Sequence, residues 1–383
     1  MAYQQICSCR KLKFLLQVSR QMNQYVRQGK FVIYTVVLLN VKDGNHAMLV
    51  LFLLLAMERS TRVSKYIWIL LSCCSTLITS CIESTAIEEN SLRVVKSVQC
   101  FPDSSFFSDI RHMKYEDGYL YMLDVKRRNV IRLNSSLIEM NEYGVGGRGT
   151  GELQAPFSFT VKEDTVSILD FMSRTLKHYS SFGYIDESRL DIVPNDGRMD
   201  ISKNNDFLIP VYSDSCQLSI IAQSHRSFVG YPKQFKSIKK TAVMNHNHIL
   251  AYDNYILVIP TTLPYVQLYD TDGKLLKTVN LDKAWFYKKN LSYILNQPDF
   301  SEDNISYVLN IDAYQKGNNL YILCSRYENT YKADRILVVD LRNEALKKVF
   351  LLPKYNYGSI CYDGSSFYAF NETLCTIEVL EER

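Results

Sequence analysis

The chain has 383 residues and a formal net charge of +4, and its first 80 residues hold ten Lys or Arg but only two Asp or Glu. The remaining residues carry 34 basic and 38 acidic side chains, a net charge of −4, which argues against an extended basic face for nucleic acid. The ten cysteines include no C-x-x-C pair and so do not support a zinc site of that type, while 27 Tyr and 18 Phe favour β-strands.

Residues 57–81 have the three parts of an export signal. Three basic side chains precede an apolar run, 66–77, which is short for a membrane span, and Ile78-Thr79-Ser80-Cys81 follows. This arrangement resembles a bacterial lipoprotein signal, in which an aliphatic and two small residues precede the lipidated Cys. The resemblance implies that residues 57–80 are removed and that Cys81 becomes the lipidated first residue. The alternative is an ordinary apolar helix that ends in Cys.

Residues 1–56 fit this signal poorly, because they contain another basic segment and a second apolar run, 47–56. We interpret them as the product of a start codon assigned too far upstream, and the alternative is an upstream membrane segment. Residues 81–90 are short, polar and acidic, and we interpret them as a tether. Together these features predict a lipid-anchored protein of the bacterial cell envelope, at the outer membrane and facing the periplasm or the exterior.

The chain after the tether contains an internal repeat. Superposing Asp124 in "LYMLDVKRRNVIRLNSS" on Asp170 in "VSILDFMSRTLKHYSSF" also aligns Arg128 with Arg174, at a spacing of 46 residues. Weaker copies surround Pro210, Pro260, Cys324 and Phe370. Each copy has the pattern of three or four antiparallel strands joined by turns, and residues 285–296 alone are compatible with a short helix. The pattern predicts an all-β fold: a six-bladed β-propeller of four-stranded antiparallel blades over residues 91–383.

The last repeat ends after three predicted strands, 358–362, 366–371 and 374–380. A strand at 91–99 is predicted to supply the missing outer strand and to close the ring, because an unpaired last blade leaves an open edge. Cys100 would then lie near Cys361 and Cys375, and the sequence leaves open whether two of these three form a disulfide.

The stretch "YGVGGRGTGELQAPF", residues 143–157, fits the spacing G-x-G-x-x-G from Gly144 onward. A dinucleotide site needs a strand before this motif and a helix after it, whereas Gly151 and Pro156 oppose a helix here. We therefore predict no nucleotide and interpret the stretch as a surface crossover between the first two blades.

The same stretch resembles the phrase G-x-x-G-x-G-x-G-E-[FL]-x-x-P, which joins consecutive blades in NHL-repeat propellers. Together with the export signal, it makes the chain look like the six-bladed, TolB-like propeller lipoproteins of Gram-negative bacteria. The repeats cover residues 91–383, but the glycine phrase is clear only once. The resemblance implies a cell-envelope propeller and assigns no ligand or catalytic residue.

Asp124 and Asp170 are candidate site residues because they recur at equivalent positions. They belong either to a ring of acids at the channel mouth or, in the interpretation we prefer, to turns whose N–H groups they cap. His246 and His248 have a spacing that metals use, but no third ligand is identifiable, so we predict no metal. No contiguous catalytic motif is present, and no catalytic residue is assigned.

Tyrosines in or near predicted loops are a further hint, since their rings pack between blades or stack on sugars and peptides. They are Tyr231, Tyr265, Tyr287, Tyr293, Tyr327, Tyr331, Tyr355 and Tyr357. We predict a binding or scaffold module for a protein or glycan partner, with no cofactor. The alternative is a hydrolase or lyase that acts on carbohydrate or peptide with a site in the central channel.

Overall fold

The computed structural model describes residues 87–222, 226–296, 307–326, 332–354 and 356–383. The upstream segment, the signal peptide and Cys81 lie outside these residues. The regular structure within them is β-strand apart from two helices, α1 (Ile238–Met244) and α2 (Trp285–Leu295), and α2 lies where the sequence predicted a short helix. Neither of these helices has the length and apolar character needed to cross a membrane.

Four sheets have four antiparallel strands each, in sequence order. The first sheet consists of β2 (Ile110–Glu116), β3 (Tyr119–Asp124), β4 (Asn129–Asn134) and β5 (Met140–Tyr143). The second consists of β8 (Pro156–Lys162), β9 (Thr165–Asp170), β10 (Thr175–Ser180) and β11 (Gly183–Arg189). The third consists of β12 (Asp200–Ile201), β13 (Phe207–Pro210), β14 (Leu218–Ile221) and β15 (Arg226–Val229). The fourth consists of β16 (Asn247–Tyr252), β17 (Tyr255–Pro260), β18 (Tyr265–Asp270) and β19 (Leu275–Asn280).

A fifth sheet has eight strands, because β1 (Glu88–Val98) joins two smaller groups. One group is β20 (Asn310–Lys316), β21 (Asn319–Arg326), β22 (Lys332–Asp340) and β23 (Ala345–Leu351). The other is β24 (Tyr357–Tyr362), β25 (Phe367–Asn371) and β26 (Thr376–Glu382). Residues 88–91 of β1 pair in parallel with β23, and residues 92–98 pair antiparallel with β26. The strand begins at Glu88 instead of the predicted Ser91, inside the segment that we interpreted as tether.

The first strands of consecutive sheets or groups contact one another around a common axis. The contacts join β2 with β8, β8 with β12, β12 with β16, β16 with β20, β20 with β24, and β24 with β2. Later strands of each sheet lie farther out, so the antiparallel sheets have a propeller arrangement. We call the side where these first strands begin the strand-start face, and the side where they end the strand-end face.

Buried apolar side chains fill the spaces between neighbouring sheets. The largest cluster combines Leu92 of β1 with Met113 of β2, Ile336 of β22 and Phe370 of β25. Leu92 is 1% exposed. The N-terminal strand therefore contributes to the core as well as to the sheet.

The two best-matching repeats share a turn geometry. Arg128 and Arg174 end the four-residue turns that follow Asp124 and Asp170, and both have a positive φ, 59° and 51°. Since most residues avoid this region, the shared conformation shows that the sequence repeat is also a structural repeat.

The glycine stretch connects β5 to β8 through a short parallel pair, β6 (Val145–Gly146) and β7 (Glu152–Leu153). The N–H of Gly149 donates to Glu152 Oε2 at 2.6 Å, and the N–H of Gly147 donates to the Leu153 carbonyl at 3.0 Å. The N–H groups of Gly147 and Gly149 are thus already hydrogen-bonded within the loop and are not available to a phosphate. The stretch is the crossover between two sheets that the sequence predicted.

Candidate functional site

A buried ion pair between Arg198 and Asp312 lies where the first strands converge. Arg198 is 5% exposed and Asp312 is fully buried. Nε of Arg198 donates to Asp312 Oδ1 at 2.5 Å, and Nη2 donates to Oδ2 at 2.7 Å. Burial alone would raise the pKa of Asp312, but the Arg198 guanidinium holds it well below its ordinary value. Both groups are therefore charged and held by two hydrogen bonds.

The same guanidinium reaches two further sheets. Nη1 donates to the Met113 carbonyl of β2 at 2.8 Å, and Nη2 donates to the Ile360 carbonyl of β24 at 3.1 Å. Asp312 belongs to β20, where it also accepts a hydrogen bond from the Ser359 hydroxyl at 2.8 Å. Because Arg198 itself precedes β12, one side chain spans the axis and links strands from four of the sheets or groups.

Two neutral imidazoles flank this ion pair. Nδ1 of His248 accepts the N–H of Arg198 at 3.2 Å, which leaves Nε2 to donate to the Asn310 carbonyl at 3.4 Å. Nε2 of His112 lies 3.3 Å from the Asp196 carbonyl. Burial lowers the pKa of His248 to about 4 and also lowers the pKa of His112. These histidines therefore act as hydrogen-bonding groups without charge near pH 7.

Arg198 reaches the axis because the backbone at Gly197 lies very close to the backbone at Asn247. A Cβ on Gly197 would lie 1.7 Å from the Asn247 carbonyl oxygen, so no other residue fits there without a shift of the chain. The Asn195 side chain accepts the Gly197 N–H at 2.9 Å and donates to the Val211 carbonyl at 3.1 Å. Asn195 and Gly197 together set the course of the chain that carries Arg198 inward.

A cavity of about 540 Å³ opens on the strand-end face, and Arg198 contributes to its inner end. Apolar side chains of Phe159, Val161 and Leu250 form part of its wall. The charged residues toward its mouth are Glu116, Lys162, Glu163, Lys203, Asp253 and Lys316. This volume falls in the range of small-molecule sites.

A hydrogen-bonded triad of Lys114, Thr160 and Asp200 crosses the cavity wall. Nζ of Lys114 donates to Thr160 Oγ1 at 3.2 Å and to Asp200 Oδ1 at 3.1 Å, and the Thr160 hydroxyl donates to the same oxygen at 3.0 Å. Asp200 Oδ2 accepts the Ala251 N–H at 3.0 Å. Burial favours a higher pKa for Asp200, but Lys114 and backbone N–H groups lower it. Asp200 is thus an ionised wall residue, and Lys114 keeps one N–H for a ligand.

The remaining charges at the mouth divide into two groups. Nζ of Lys162 donates to the carbonyls of Ser202 and Lys203 at 3.2 Å each, and Lys203 lies 3.6 Å from Asp253. In the described part of the chain, Glu116 and Lys316 make no ion pair. Glu163 likewise makes no ion pair among the described residues, so Glu116, Glu163 and Lys316 are open to an incoming molecule.

Asp124 and Asp170 lie away from this cavity, at turns on the strand-start face. Asp124 Oδ1 accepts the N–H groups of Lys126 and Arg127, at 3.1 and 3.0 Å. Asp170 accepts the N–H groups of Gln154 and Ala155, at 2.8 and 2.9 Å. Both aspartates are fully buried; Asp124 is held on the turn that follows it, and Asp170 is held by the segment just before β8. The structure does not bring the two together.

His246 and His248 turn to different partners and form no joint site. Nδ1 of His246 lies 3.0 Å from Asp196 Oδ1, and this hydrogen bond lowers the pKa of Asp196 well below its ordinary value. The ring packs edge-on against Tyr212. Nε2 of His246 is buried and has no hydrogen-bond partner among the described residues. No set of three His, Cys, Asp or Glu within those residues is placed to hold a metal.

The cysteines and tyrosines that the sequence analysis singled out lie in different parts of the fold. Cys100, Cys361 and Cys375 are free thiols. Tyr287 and Tyr357 are 1% exposed and pack in the core, whereas Tyr231 is 76% exposed. The predicted positions Tyr327, Tyr331 and Tyr355 lie outside the described residues.

Sequence reasoning missed Arg198, Asp312 and Lys114. Each is a single charge in a different repeat, so no local motif unites them. One signal was present: Asn195-Asp196-Gly197 is a turn sequence, and it places Arg198 two residues before the start of β12. The signal locates the residue but not its partner.

No protein-family model matches the chain, and no curated protein matches it significantly. An exported protein from Bacteroides fragilis has a similar solved structure, with a TM-score of 0.53 and 15% identity over 77% of this chain and 98% of that one. Virginiamycin B lyase from Staphylococcus aureus has a TM-score of 0.49 and 10% identity over 76% of this chain and 99% of the lyase. A β-propeller domain from Myceliophteria thermophila has a TM-score of 0.44 and 9% identity over 76% and 99%. Such identities concern the fold alone, and the described residues of this chain form a β-propeller.

Proposed function

We propose that the chain is a six-bladed propeller closed by its N-terminal strand. Four separate sheets and the two groups of the eight-stranded sheet make six units, each with a first strand at the axis. β1 occupies the outer position beside β26, where the last group has three strands of its own. These pairings support a ring in which the last blade is completed by the start of the domain.

We further propose that Cys81 carries lipid and holds this propeller in the cell envelope, facing the periplasm or the exterior. The support is the order of basic segment, apolar run and small residues before Cys81. The similar Bacteroides fragilis protein is described as exported, which agrees with this location.

The function that the geometry supports best is a binding module for a protein or glycan partner. The observation that carries it is the axial cavity of about 540 Å³. Its inner end contains Arg198, and its mouth presents Glu116 and Lys316, which form no ion pair with any residue that the structure describes. Arg198 and Asp200 are committed to structural hydrogen bonds, so they position the wall and do not serve as an acid or base. The cavity is thus built to hold a molecule by polar contacts.

Capture from the native envelope tests this role. Detergent-solubilised full-length protein is immobilised beside the double variant Glu116→Ala and Lys316→Ser, and bound proteins and glycans are identified by mass spectrometry. A partner of the cavity should be enriched on wild type by about tenfold or more, since each lost charged hydrogen bond is worth about 1.5–3 kcal/mol. Equal recovery of every species on both proteins refutes a binding role for this cavity.

The alternative, a hydrolase or lyase, draws support from one observation on the strand-start face. Asp196 orients the His246 ring through Nδ1, and the buried Nε2 has no partner among the described residues, so it would act as a general base on a substrate that displaces the groups covering it. If this role is correct, envelope carbohydrate or peptide incubated with the protein should yield a product that His246→Gln does not form. Identical product mixtures from the two proteins reject it.

A further inference from the structure

The charges that line the axial cavity balance one another. The lining contains the cations Lys114, Lys162, Arg198, Lys203 and Lys316. It contains the carboxylates Glu116, Glu163, Asp200 and Asp253, and Asp312 neutralises Arg198 from behind. Five positive charges thus face five negative charges. A ligand with a large charge of either sign would meet as much repulsion as attraction.

The groups left open for a ligand include both donors and acceptors. Lys114 retains one N–H beyond its bonds to Thr160 and Asp200. Lys316 has all three N–H donors of its ammonium group available, since it bonds to no residue that the structure describes. Glu116 and Glu163, which have no partner among the described residues, offer carboxylate oxygens that accept hydrogen bonds. Hydroxyl groups donate and accept at the same atom, so a ligand rich in hydroxyls satisfies both kinds of group without a charge of its own.

The wall also has an apolar part between these polar groups. Phe159, Val161, Leu250 and Tyr314 line it, and the Tyr314 hydroxyl is already bonded to the Tyr115 carbonyl at 3.0 Å. Sugar rings carry hydroxyls on their edges and C–H groups on their faces. This alternation matches a wall in which apolar side chains lie beside charged donors and acceptors.

The inner end of the cavity limits the length of the ligand. Arg198 spans the axis with hydrogen bonds to β2, β20 and β24, so a chain cannot thread through the described axis without breaking them. From the charge balance, the open donors and acceptors, and this closed end, we infer that the cavity binds an uncharged saccharide: a short one, or the end of a longer chain. This inference rests on the proposed binding role and specifies its ligand.

Calorimetric titration of the full-length protein tests the inference. The probes are three neutral trisaccharides (maltotriose, cellotriose and triacetylchitotriose) and two charged ones, cationic chitotriose and anionic trigalacturonate. At least one neutral probe should bind, with a Kd that changes less than about threefold between about 50 and 500 mM NaCl, because screening hardly affects an uncharged ligand. Glu116→Ala and Lys316→Ser should each weaken this binding by about fivefold or more. Glu139→Ala and Lys239→Ser, at exposed positions outside the cavity lining, are the matched controls and should leave it unchanged.

Three results would overturn the saccharide inference. The first is no binding of any neutral trisaccharide up to about 10 mM, a concentration above the Kd of most specific sites. The second is tighter binding of a charged probe with a steep salt dependence. The third is neutral binding that is insensitive to both cavity variants. If the envelope capture still gives a cavity-dependent protein partner, the binding role stands and only its ligand is wrong.

Discussion

Arg198 and Asp312 are 114 positions apart in sequence, yet they form a two-point ion pair at the centre of the molecule. Four sheets or groups converge on this pair, through the backbone of Arg198 and the carbonyls of Met113 and Ile360. The pair therefore has two roles. It holds first strands together, and its Arg198 contributes to the inner end of the cavity. Its removal should affect stability before it affects anything else.

Breaking the pair from one side should destabilise the domain strongly. Asp312→Asn leaves the buried Arg198 guanidinium without its counter-charge, and the expected loss in free energy of unfolding is about 3–5 kcal/mol. Urea denaturation followed by circular dichroism measures this loss. The exposed pair Lys203–Asp253 is the control, since Lys203→Met should cost less than about 1 kcal/mol. Similar effects from the two substitutions would contradict a structural role for the axial pair.

The buried His248 should make the domain acid-sensitive. Its pKa is about 4 in the folded protein against an ordinary value of 6.5, so the unfolded chain binds more protons between these two values. Stability should therefore be fully present above pH 6.5 and fall as the pH drops toward 4, by up to about 3 kcal/mol from this group. Melting temperatures of wild type and His248→Gln between pH 7.5 and 4 measure the effect. The variant curve should be flatter, and parallel curves would assign the acid sensitivity to other groups.

Gly197 should tolerate no side chain. The Cβ of Gly197→Ala would overlap the Asn247 carbonyl, and the forced shift should cost about 1–3 kcal/mol and displace Arg198. Gly183→Ala is the matched control, because Gly183 lies outside the cavity lining and has a φ of 120° but open space around its Cβ position, and it should cost about 1–3 kcal/mol from backbone strain alone. The distinguishing measurement is ligand binding per folded molecule, since only displacement of Arg198 reshapes the inner end of the cavity.

The N-terminal strand should be integral to the domain. Leu92→Ala removes a side chain that is 1% exposed in the largest core cluster, and the expected loss is about 2–5 kcal/mol. Val95→Ala, on the same strand at 43% exposure, should change stability by less than about 1 kcal/mol. Thermal unfolding of both variants tests this contrast. An unchanged melting temperature for Leu92→Ala is the outcome that rejects closure of the ring by this strand.

Lipid attachment should depend on one thiol. Cells that express the full-length chain and are fed an alkyne fatty acid should label the wild-type protein and leave Cys81→Ala unlabelled, because no other acceptor follows the small residues at 79–80. Cys74→Ala, within the same signal, should keep the label. Equal labelling of wild type and Cys81→Ala would remove the lipoprotein proposal.

The strands were predictable because alternating side chains and turn residues repeat in every unit. The strands predicted at 358–362 and 366–371 correspond to β24 and β25, and the predicted outer strand at 91–99 agrees with β1 apart from its start. The repeated Asp124 and Asp170 were conspicuous for the same reason, but both accept backbone N–H groups at places away from the cavity. Residues that recur in each repeat therefore indicate the fold and not the position of the cavity.

The cavity was not predictable, because its residues differ from one repeat to the next. Lys114, Thr160 and Asp200 come from three consecutive first strands and meet only when the sheets surround the axis. Each is unremarkable in its own segment, and no local pattern specifies which charge faces which. The pairing follows from the way the first strands contact one another around the axis, which a single sequence does not encode at any one position.

The position of β1 also has a consequence for the order of folding. Asn90 and Glu382 are 292 positions apart, so the strand that is synthesised first must wait for the strand that is synthesised last. Contacts of such long range form late, since a large loop has to close before they stabilise the chain. In an exported chain, this delay keeps the ring open until the C-terminus has been made. On the export route proposed above, the polypeptide would therefore reach the translocation machinery in a form that can still be threaded across a membrane.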